Sequence, residues 1–380
     1  MDGVEVSAVI DGLRDAQAER WRKLDPLLPA GLPPSPALAG DVVLAVPDGP
    51  AAGVARRFQV DPASLDACWG TLERHRLADV LVGGDRAAEA MDALLGRWRA
   101  HLAAVGESGT AASDPAAAGA GVAGPWLAGR AESSAVLTWP SRDTAMVAAF
   151  LRHGLVARTV LAVRPAGRAT PSRAGEGGLA DAAASGRLAS NAAGAAGSSA
   201  PATNAAAGAA EVACGAEPVV VREIQAADFD AVVDLWLAEI RWDAQFGGVF
   251  ERAGTVDRLR ERVRNIVSFG QSWAWVAERG GELLGMIVVE RPPGADWMLP
   301  RVRAESVGYI SCLSVRAGER GSGVGTSLAA QAHLALDQAG VAATLLDYAT
   351  LNPLSGPFWH RLGYRPLWTA WELLPRSGRY

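Results

Sequence analysis

Ser314-Val-Arg-Ala-Gly-Glu-Arg-Gly-Ser-Gly-Val-Gly-Thr-Ser-Leu328 is the stretch whose reading decides the fold. An apolar run, Val307 to Val315, leads into it. A helical pattern follows, with Leu328, Ala332, Leu334, Leu336 and Ala339 apolar and polar residues between them. The stretch therefore reads as strand, glycine-rich turn, helix. Glycines 321, 323 and 325 let backbone approach a ligand without Cβ clashes. The first turn of the helix leaves N–H groups without intrahelical partners, and the helix dipole adds partial positive charge there. An anion fits such a place, most often a phosphate, and Arg316 and Arg320 flank it. On these residues alone an ordinary glycine turn fits equally well, so the surrounding chain has to decide.

A chain of 380 residues has room for two domains with separate cores. Net charge is −5 with no basic block, which argues against general nucleic-acid binding. Lys23 is the one lysine amid abundant arginine and alanine, a bias expected of a GC-rich coding sequence. The N-terminus has no basic stretch followed by an apolar core, and no run reaches the length of a membrane span. A cytoplasmic protein without membrane partners is the expectation. Cys68, Cys214 and Cys312 are scattered and odd in number, and the histidines lack metal-ligand spacing. Neither a disulfide framework nor a metal is expected.

Along the chain, Met1 to Ala30 reads as a helix, Asp41 to Pro47 and Val54 to Val60 as strands, and Pro62 to His75 as a helix capped by Asp61. A short strand at Ala78 to Val82 precedes a helix from Arg86 to Leu102 and a loop from Gly106 to Gly124. Strand (Ala135 to Trp139), helix (Thr144 to Arg152) and strand (Val156 to Val163) follow. From Pro165 to Ala216 the composition is almost wholly Ala, Gly, Ser, Arg, Pro and Asn. Such a segment cannot bury enough surface to offset chain entropy and reads as a disordered linker. Beyond it come a strand (Pro218 to Ile224), a helix capped by Asp228, a helix capped by Thr255, and a hairpin of Trp273 to Glu278 with Leu283 to Glu290 through Arg-Gly-Gly. Then come a strand within Arg303 to Val315, the helix Val324 to Ala339, a strand (Ala343 to Tyr348), a helix (Pro353 to Leu362) and a closing segment, Tyr364 to Leu374.

That order, with two motifs, resembles the GCN5-related N-acetyltransferase (GNAT) superfamily. The family's acyl-CoA loop, Arg/Gln-x-x-Gly-x-Gly/Ala, is matched by Arg320-Gly321-Ser322-Gly323-Val324-Gly325. Its second segment is matched by Asn352, Trp359 and Gly363-Tyr364. The resemblance covers about 217 to 375. A weaker echo runs backwards at an offset of 209, placing Gly154 on Gly363, Phe150 on Trp359 and Asp143 on Asn352. The corresponding turn, Gly83-Gly84-Asp85-Arg86, lacks the loop motif and puts a carboxylate where phosphates would sit. The implied architecture is an α/β protein with a mixed α+β sheet. It comprises a degenerate GNAT-like domain at 1–164, a disordered linker at 165–216 and a GNAT domain at 217–380.

The resemblance implies acetyl-CoA as cosubstrate and direct attack on its thioester by a primary amine of a small molecule or peptide. It implies that backbone N–H groups from Gly321 through Ser322, Gly323, Val324 and Gly325 to Thr326 take the pyrophosphate, with Arg320 beside them. The strand end Leu313, Ser314 and Val315 would pair with the cofactor arm, and an N–H near Leu313 would stabilise the oxyanion. Asn352 and Trp359 would lie against the cofactor. Asp347, five residues before Asn352, stands where some members place a base, with Glu305 and Glu290 as alternatives. Family members often protonate the departing thiolate with a tyrosine seven residues after the asparagine. Here that residue is Trp359, which cannot serve, leaving Tyr348, Tyr309, His360 or water. The acceptor site would come from Glu239 to Phe250, where Trp242, Asp243, Gln245 and Phe246 mix aromatic and acidic character. The lost acid also admits a different reading, a non-catalytic acyl-CoA sensor.

Overall fold

The computed structural model describes residues 3–34, 36–47, 50–109, 132–167, 217–270 and 273–373. The N-terminal half contains α1 (Gly3–Leu24), β1 (Val42–Ala45), β2 (Ala51–Gln59), β3 (Glu73–Val82), α2 (Ala87–Gly109), β4 (Ser133–Pro140), α3 (Val147–Arg152) and β5 (Val156–Pro165). The C-terminal half contains β6 (Val220–Glu223), α4 (Phe229–Ala244), α5 (Thr255–Phe269), β7 (Trp273–Arg279), β8 (Glu282–Glu290), β9 (Val307–Val315), α6 (Val324–Gln338), β10 (Ala343–Ala349), α7 (Ser355–Arg361) and β11 (Arg365–Leu373). The expected hairpin forms as β7 and β8. Gly280 and Gly281 supply the two positive φ angles, +58° and +79°, that its two-residue turn requires.

All these strands join one mixed sheet in the order β1-β2-β3-β4-β11-β5-β10-β9-β8-β7-β6. The order shows an exchange. β11 lies between β4 and β5, and β5 lies between β11 and β10, so each half inserts its last strand into the other. The register obeys the sequence offset. Pro140 pairs with Trp368 in one ladder, and Ala349 pairs with Thr159 in the other. Both 349 − 140 and 368 − 159 equal 209. The central pair, Val160 with Thr369, is 209 apart as well and marks the local dyad. Neither half completes its hydrogen-bond ladder without the other.

Packing follows the exchange. One core cluster unites Trp21, Leu94, Leu137 and Trp139 of the first half with Val307, Leu345 and Trp368 of the second. Trp21 meets Trp139 and Trp368 edge-on, at 5.8 and 5.1 Å between ring centroids. The other two clusters flank the C-terminal sheet, under α6 and α7 on one face and under α4 and α5 on the other.

Several local expectations are corrected. The helix expected over Pro62 to His75 is a 3-10 turn, Leu65–Cys68, and β3 begins at Glu73. Gly70 breaks the window, with a φ of +135° that no helix accommodates. Asp61 instead accepts the N–H of Ala63 in a local turn. Asp228 precedes α4, but its carboxylate takes the N–H of Gln225 and the Arg222 guanidinium. Gly254 occupies the N-cap of α5, and the Thr255 hydroxyl accepts the N–H of Arg252. α1 stops at Leu24, short of Ala30, whereas the strand expected within Arg303 to Val315 forms there as β9, from Val307. Of the expected loop Gly106 to Gly124, residues through 109 are helical and the rest lie outside the described residues. The expected linker, 165–216, lies outside them from 168 onward.

Because Trp368 is buried at the seam and donates its indole N–H to Arg301 O at 2.7 Å, we expect Trp368→Ala to cost about 3–5 kcal/mol. Calorimetry of wild type and variant should each show a single transition. Two separable transitions would mean that the halves fold independently.

Candidate active site

β9 and β10 run parallel and pair only through Val307–Tyr309 with Ala343–Leu345. Beyond that they part. A register shift against β8, between Val288 and Val289, accompanies the parting. Past the last pair, the edge of β9 that faces β10 has no strand partner among the described residues. Leu313, Ser314 and Val315 lie on this stretch, paired on their other side with Ile287, Met286 and Gly285 of β8. Ser314 Oγ donates to Leu235 O at 2.7 Å, fastening β9 to α4.

The glycine-rich loop sits at the end of that edge. Gly321 and Gly323 have φ of +86° and +100°, a region costly for other residues. Ser322 Oγ donates to Glu319 O at 2.7 Å, which stiffens the turn. Gly323 is the N-cap of α6, so the N–H groups of Val324, Gly325 and Thr326 emerge without intrahelical acceptors. A Cβ on Gly325 would stand 3.4 Å from the Phe358 ring, so α6 and α7 approach closely here. The Arg320 guanidinium lies 4.2 Å from the centre of the Trp242 ring, linking the loop to the end of α4. Arg316 is occupied by Glu282.

Acidic groups collect in the cleft. Asp347 Oδ2 accepts the Tyr309 hydroxyl at 3.1 Å across the β9–β10 opening. The carboxylate is reachable from the cleft, but the protein packed around it strips away water. That desolvation raises its pKa to about 6, against the Tyr309 hydrogen bond and the Arg301 charge. On α4, burial and then the neighbouring Asp243 push Glu239 well above the ordinary carboxylate range. Glu239 Oε2 is buried with no hydrogen-bond partner. Burial also raises Asp243, which accepts from Asn352 Nδ2 at 2.7 Å. The same carboxylates reach Cys312, whose thiol is raised by burial first and by Glu239 and Asp243 next.

The remaining candidates are dispersed. Tyr348 follows Asp347 on β10 and so faces the opposite side of the sheet. Its hydroxyl is 2.9 Å from His360 Nε2, and burial raises its pKa. Trp359 is core, edge-on to Phe358 and Tyr364. Asn352 Oδ1 accepts the N–H groups of Leu354 and Ser355, so this residue shapes the start of α7 as well as holding Asp243. Glu290 is held by Arg262 and Trp297 at 2.8 and 3.1 Å. Glu305 is exposed before the start of β9, at the end of the strand away from the opening. Sequence reasoning missed the Tyr309–Asp347 contact and the part of Glu239. The four-residue spacing of Glu239 and Asp243 was the available signal, because it puts both on one helix face.

The N-terminal half contains the matching opening, and α1 fills it. β3 and β4 pair over Glu73–Leu77 and Ser133–Leu137 and then part. Gln17 of α1 takes the exposed edge of β3: its Nε2 donates to Val80 O at 3.0 Å, and its Oε1 accepts the Val82 N–H at 2.9 Å. A Cβ on Gly83 would stand 3.0 Å from Leu13. Arg20 Nε donates to Asp143, the residue 209 before Asn352, at 2.8 Å. This half also anchors the segment after α4. Phe250 N donates to Cys68 O at 2.8 Å, and Arg252 reaches Ala67 O, Gly70 O and Glu132.

Residues 237–364 match the acetyltransferase (GNAT) family. No curated protein sequence matches the chain. Among solved structures, a GCN5-related N-acetyltransferase from Ralstonia eutropha JMP134 is 25% identical, covering 39% of this chain and 94% of its own, with a TM-score of 0.31. One from Sphaerobacter thermophilus is 12% identical and covers 89% of this chain and 82% of its own, with a TM-score of 0.48. A third, from Kribbella flavida, is 15% identical over 96% and 95%, with a TM-score of 0.37. The family match runs from the middle of α4 to the residue before β11, within the C-terminal half. No described helix is long and apolar enough to cross a membrane.

The raised Asp347 has a consequence for stability. Between about pH 4 and pH 6 the folded protein holds this proton more tightly than the unfolded chain does. The group's contribution to stability therefore falls as pH rises through that window. Asp347→Asn cannot titrate, so its melting temperature relative to wild type should rise from pH 4 to pH 6 and then level off. A constant difference would show that Asp347 titrates normally.

Proposed function

We propose that the protein is an acetyl-CoA-dependent N-acetyltransferase acting on a primary amine of a small molecule or peptide. The observation that carries this reading is the coincidence of the unpaired β9 edge, the glycine cradle at its end and a desolvated carboxylate across the opening. The cradle suits a pyrophosphate: the first N–H groups of α6 have no intrahelical acceptors, and Gly321 and Gly323 take the positive φ that the turn requires. In this reading, Gly321 to Thr326 and Arg320 hold the phosphates, and the backbone of Leu313 to Val315 pairs with the cofactor arm. Acetyl-CoA, when bound, supplies an acyl group activated as a thioester.

The chain's own residues then have separable tasks. Glu239 and Asp243 attract the cationic acceptor, and Trp242 and Phe246 border its path. Asp347, poised near pH 6, accepts the ammonium proton and frees the lone pair for attack. Tyr309 keeps the Asp347 carboxylate oriented. Tyr348, hydrogen-bonded to His360, is the proton donor available on the other face, in place of the tyrosine that Trp359 replaces. We read 217–380 as the catalytic domain, 165–216 as a linker and 1–164 as a degenerate domain. Strand exchange at the 209 offset and the plugging of the β3 edge by Gln17 support that division.

Turnover with acetyl-CoA on a panel of amines and peptide N-termini tests the proposal. We expect Gly323→Glu to abolish protection by acetyl-CoA in thermal melts and Asp85→Ala to leave it intact. Equal loss in both would sink the assignment of one working half. Asp347→Asn should lower kcat by about 10²-fold or more and remove the acidic limb of the pH–rate profile near pH 6. Tight cofactor binding without thiol release on every amine would favour a sensor instead.

A further inference from the structure

The plug formed by α1 leaves a hollow beside it. A cavity of about 230 Å³ lies where β3 and β4 part, bounded by Leu77 to Val80, Thr138 and Trp139. Thr138 stands 209 residues before Asp347, so this cavity is the counterpart of the catalytic opening. Its charge is reversed. Arg56, Arg76 and Arg301 line it, against a single carboxylate, Asp79.

Arg56 is already satisfied. Asp41 takes its Nε at 2.9 Å and its Nη2 at 2.6 Å. Arg76 is not. Its Nε is buried without a hydrogen-bond partner, and its guanidinium rests 4.9 Å from the Phe58 ring centre. Burial, then the charges of Arg301, Arg74 and Arg56, lower its pKa to about 10. Burial likewise lowers Arg301, and the one carboxylate acting on it is Asp347, outside the cavity. Two desolvated guanidinium groups facing one hollow are costly unless an anion completes them. The walls add flat apolar surface: Phe58 lies within, and Trp297 is 56% exposed. Cavities for drug-sized ligands start near about 300 Å³, so the space suits a single ring.

We propose that this cavity binds a small planar organic anion, an aryl carboxylate or aryl phosphate, with Arg76 and Arg301 on its charge and Phe58 and Trp297 against its ring. The site is separate from the acetyl-transfer cleft, and its occupancy does not depend on the chain's being an acetyltransferase. Arg301 faces both places, so the occupant sits one residue away from the surroundings of Asp347.

Calorimetric titration of the full chain with benzoate, phenyl phosphate, inorganic phosphate and neutral benzamide tests this. The expected result is saturable binding of benzoate or phenyl phosphate, with inorganic phosphate and benzamide at least tenfold weaker. Arg76→Met should weaken the bound probe at least tenfold, and Arg76→Lys less. Arg303→Met, at an exposed arginine outside the cavity, should bind as wild type does. Circular dichroism melts establish that the variants fold. Should Arg76→Met fail to fold, Phe58→Leu takes its place and should weaken the aryl anions relative to inorganic phosphate. No binding of either aryl anion would overturn the proposal. So would equal binding of benzamide, or loss of affinity in Arg303→Met as large as in Arg76→Met.

Discussion

The ladders that β5 and β11 form in each other's half are the constraint on which the rest of the molecule depends. A strand placed between two strands of the other half has its backbone donors and acceptors satisfied on both sides. Removing it would expose two sheet edges at once and open the seam where Trp21, Trp139 and Trp368 meet. The exchange also fixes the distance between the two openings in the sheet. Each opening lies next to a strand that belongs to the other half, so the geometry of one half is set in part by the other.

Within that shared frame the two openings differ by what enters them. At β9 the edge stays unpaired and a glycine loop presents N–H groups beyond it. At β3 the side-chain amide of Gln17 imitates a neighbouring strand, accepting from Val82 and donating to Val80. The electrostatics diverge in the same way. Glu239, Asp243 and Asp347 crowd the first opening, each held above its ordinary pKa chiefly by burial. Arginines crowd the second, and desolvation lowers Arg76 and Arg301. A carboxylate with a raised pKa suits proton transfer from an ammonium group, whereas buried guanidinium groups suit anion recognition.

The first half also serves the second directly. The 3-10 turn at Leu65–Cys68 receives the N–H of Phe250, and Arg252 braces against Ala67 and Gly70. The Arg158 side chain packs so closely on Gly247 that a Cβ there would collide with its guanidinium. The segment after α4 is thus held by backbone and side-chain contacts with the other half.

The glycine loop, the hairpin turn and the alternation of strand and helix around them were legible because each rests on local chemistry: positive φ, turn geometry and apolar period. The repeat at 209 was legible for the same reason, since related local segments recur in the same order. The helix expected at Pro62 to His75 failed where long-range pairing of β3 with β2 and β4 overrode a local pattern already broken at Gly70. Site residues divided likewise. Motif and spacing name Arg320 to Thr326 and Asp347 as candidates, and Tyr348 as one substitute for the missing acid, without showing that a strand turns successive side chains to opposite faces. Tyr309 on Asp347, Arg320 on Trp242 and Gln17 on β3 join residues 38, 78 and more than 60 positions apart. Sequence by itself determined most of the elements and the glycine-rich turn, which depend on neighbours along the chain. Tertiary structure alone decided the strand exchange, the plugged opening and the opposite charges of the two cavities, because pairing and desolvation depend on neighbours in space.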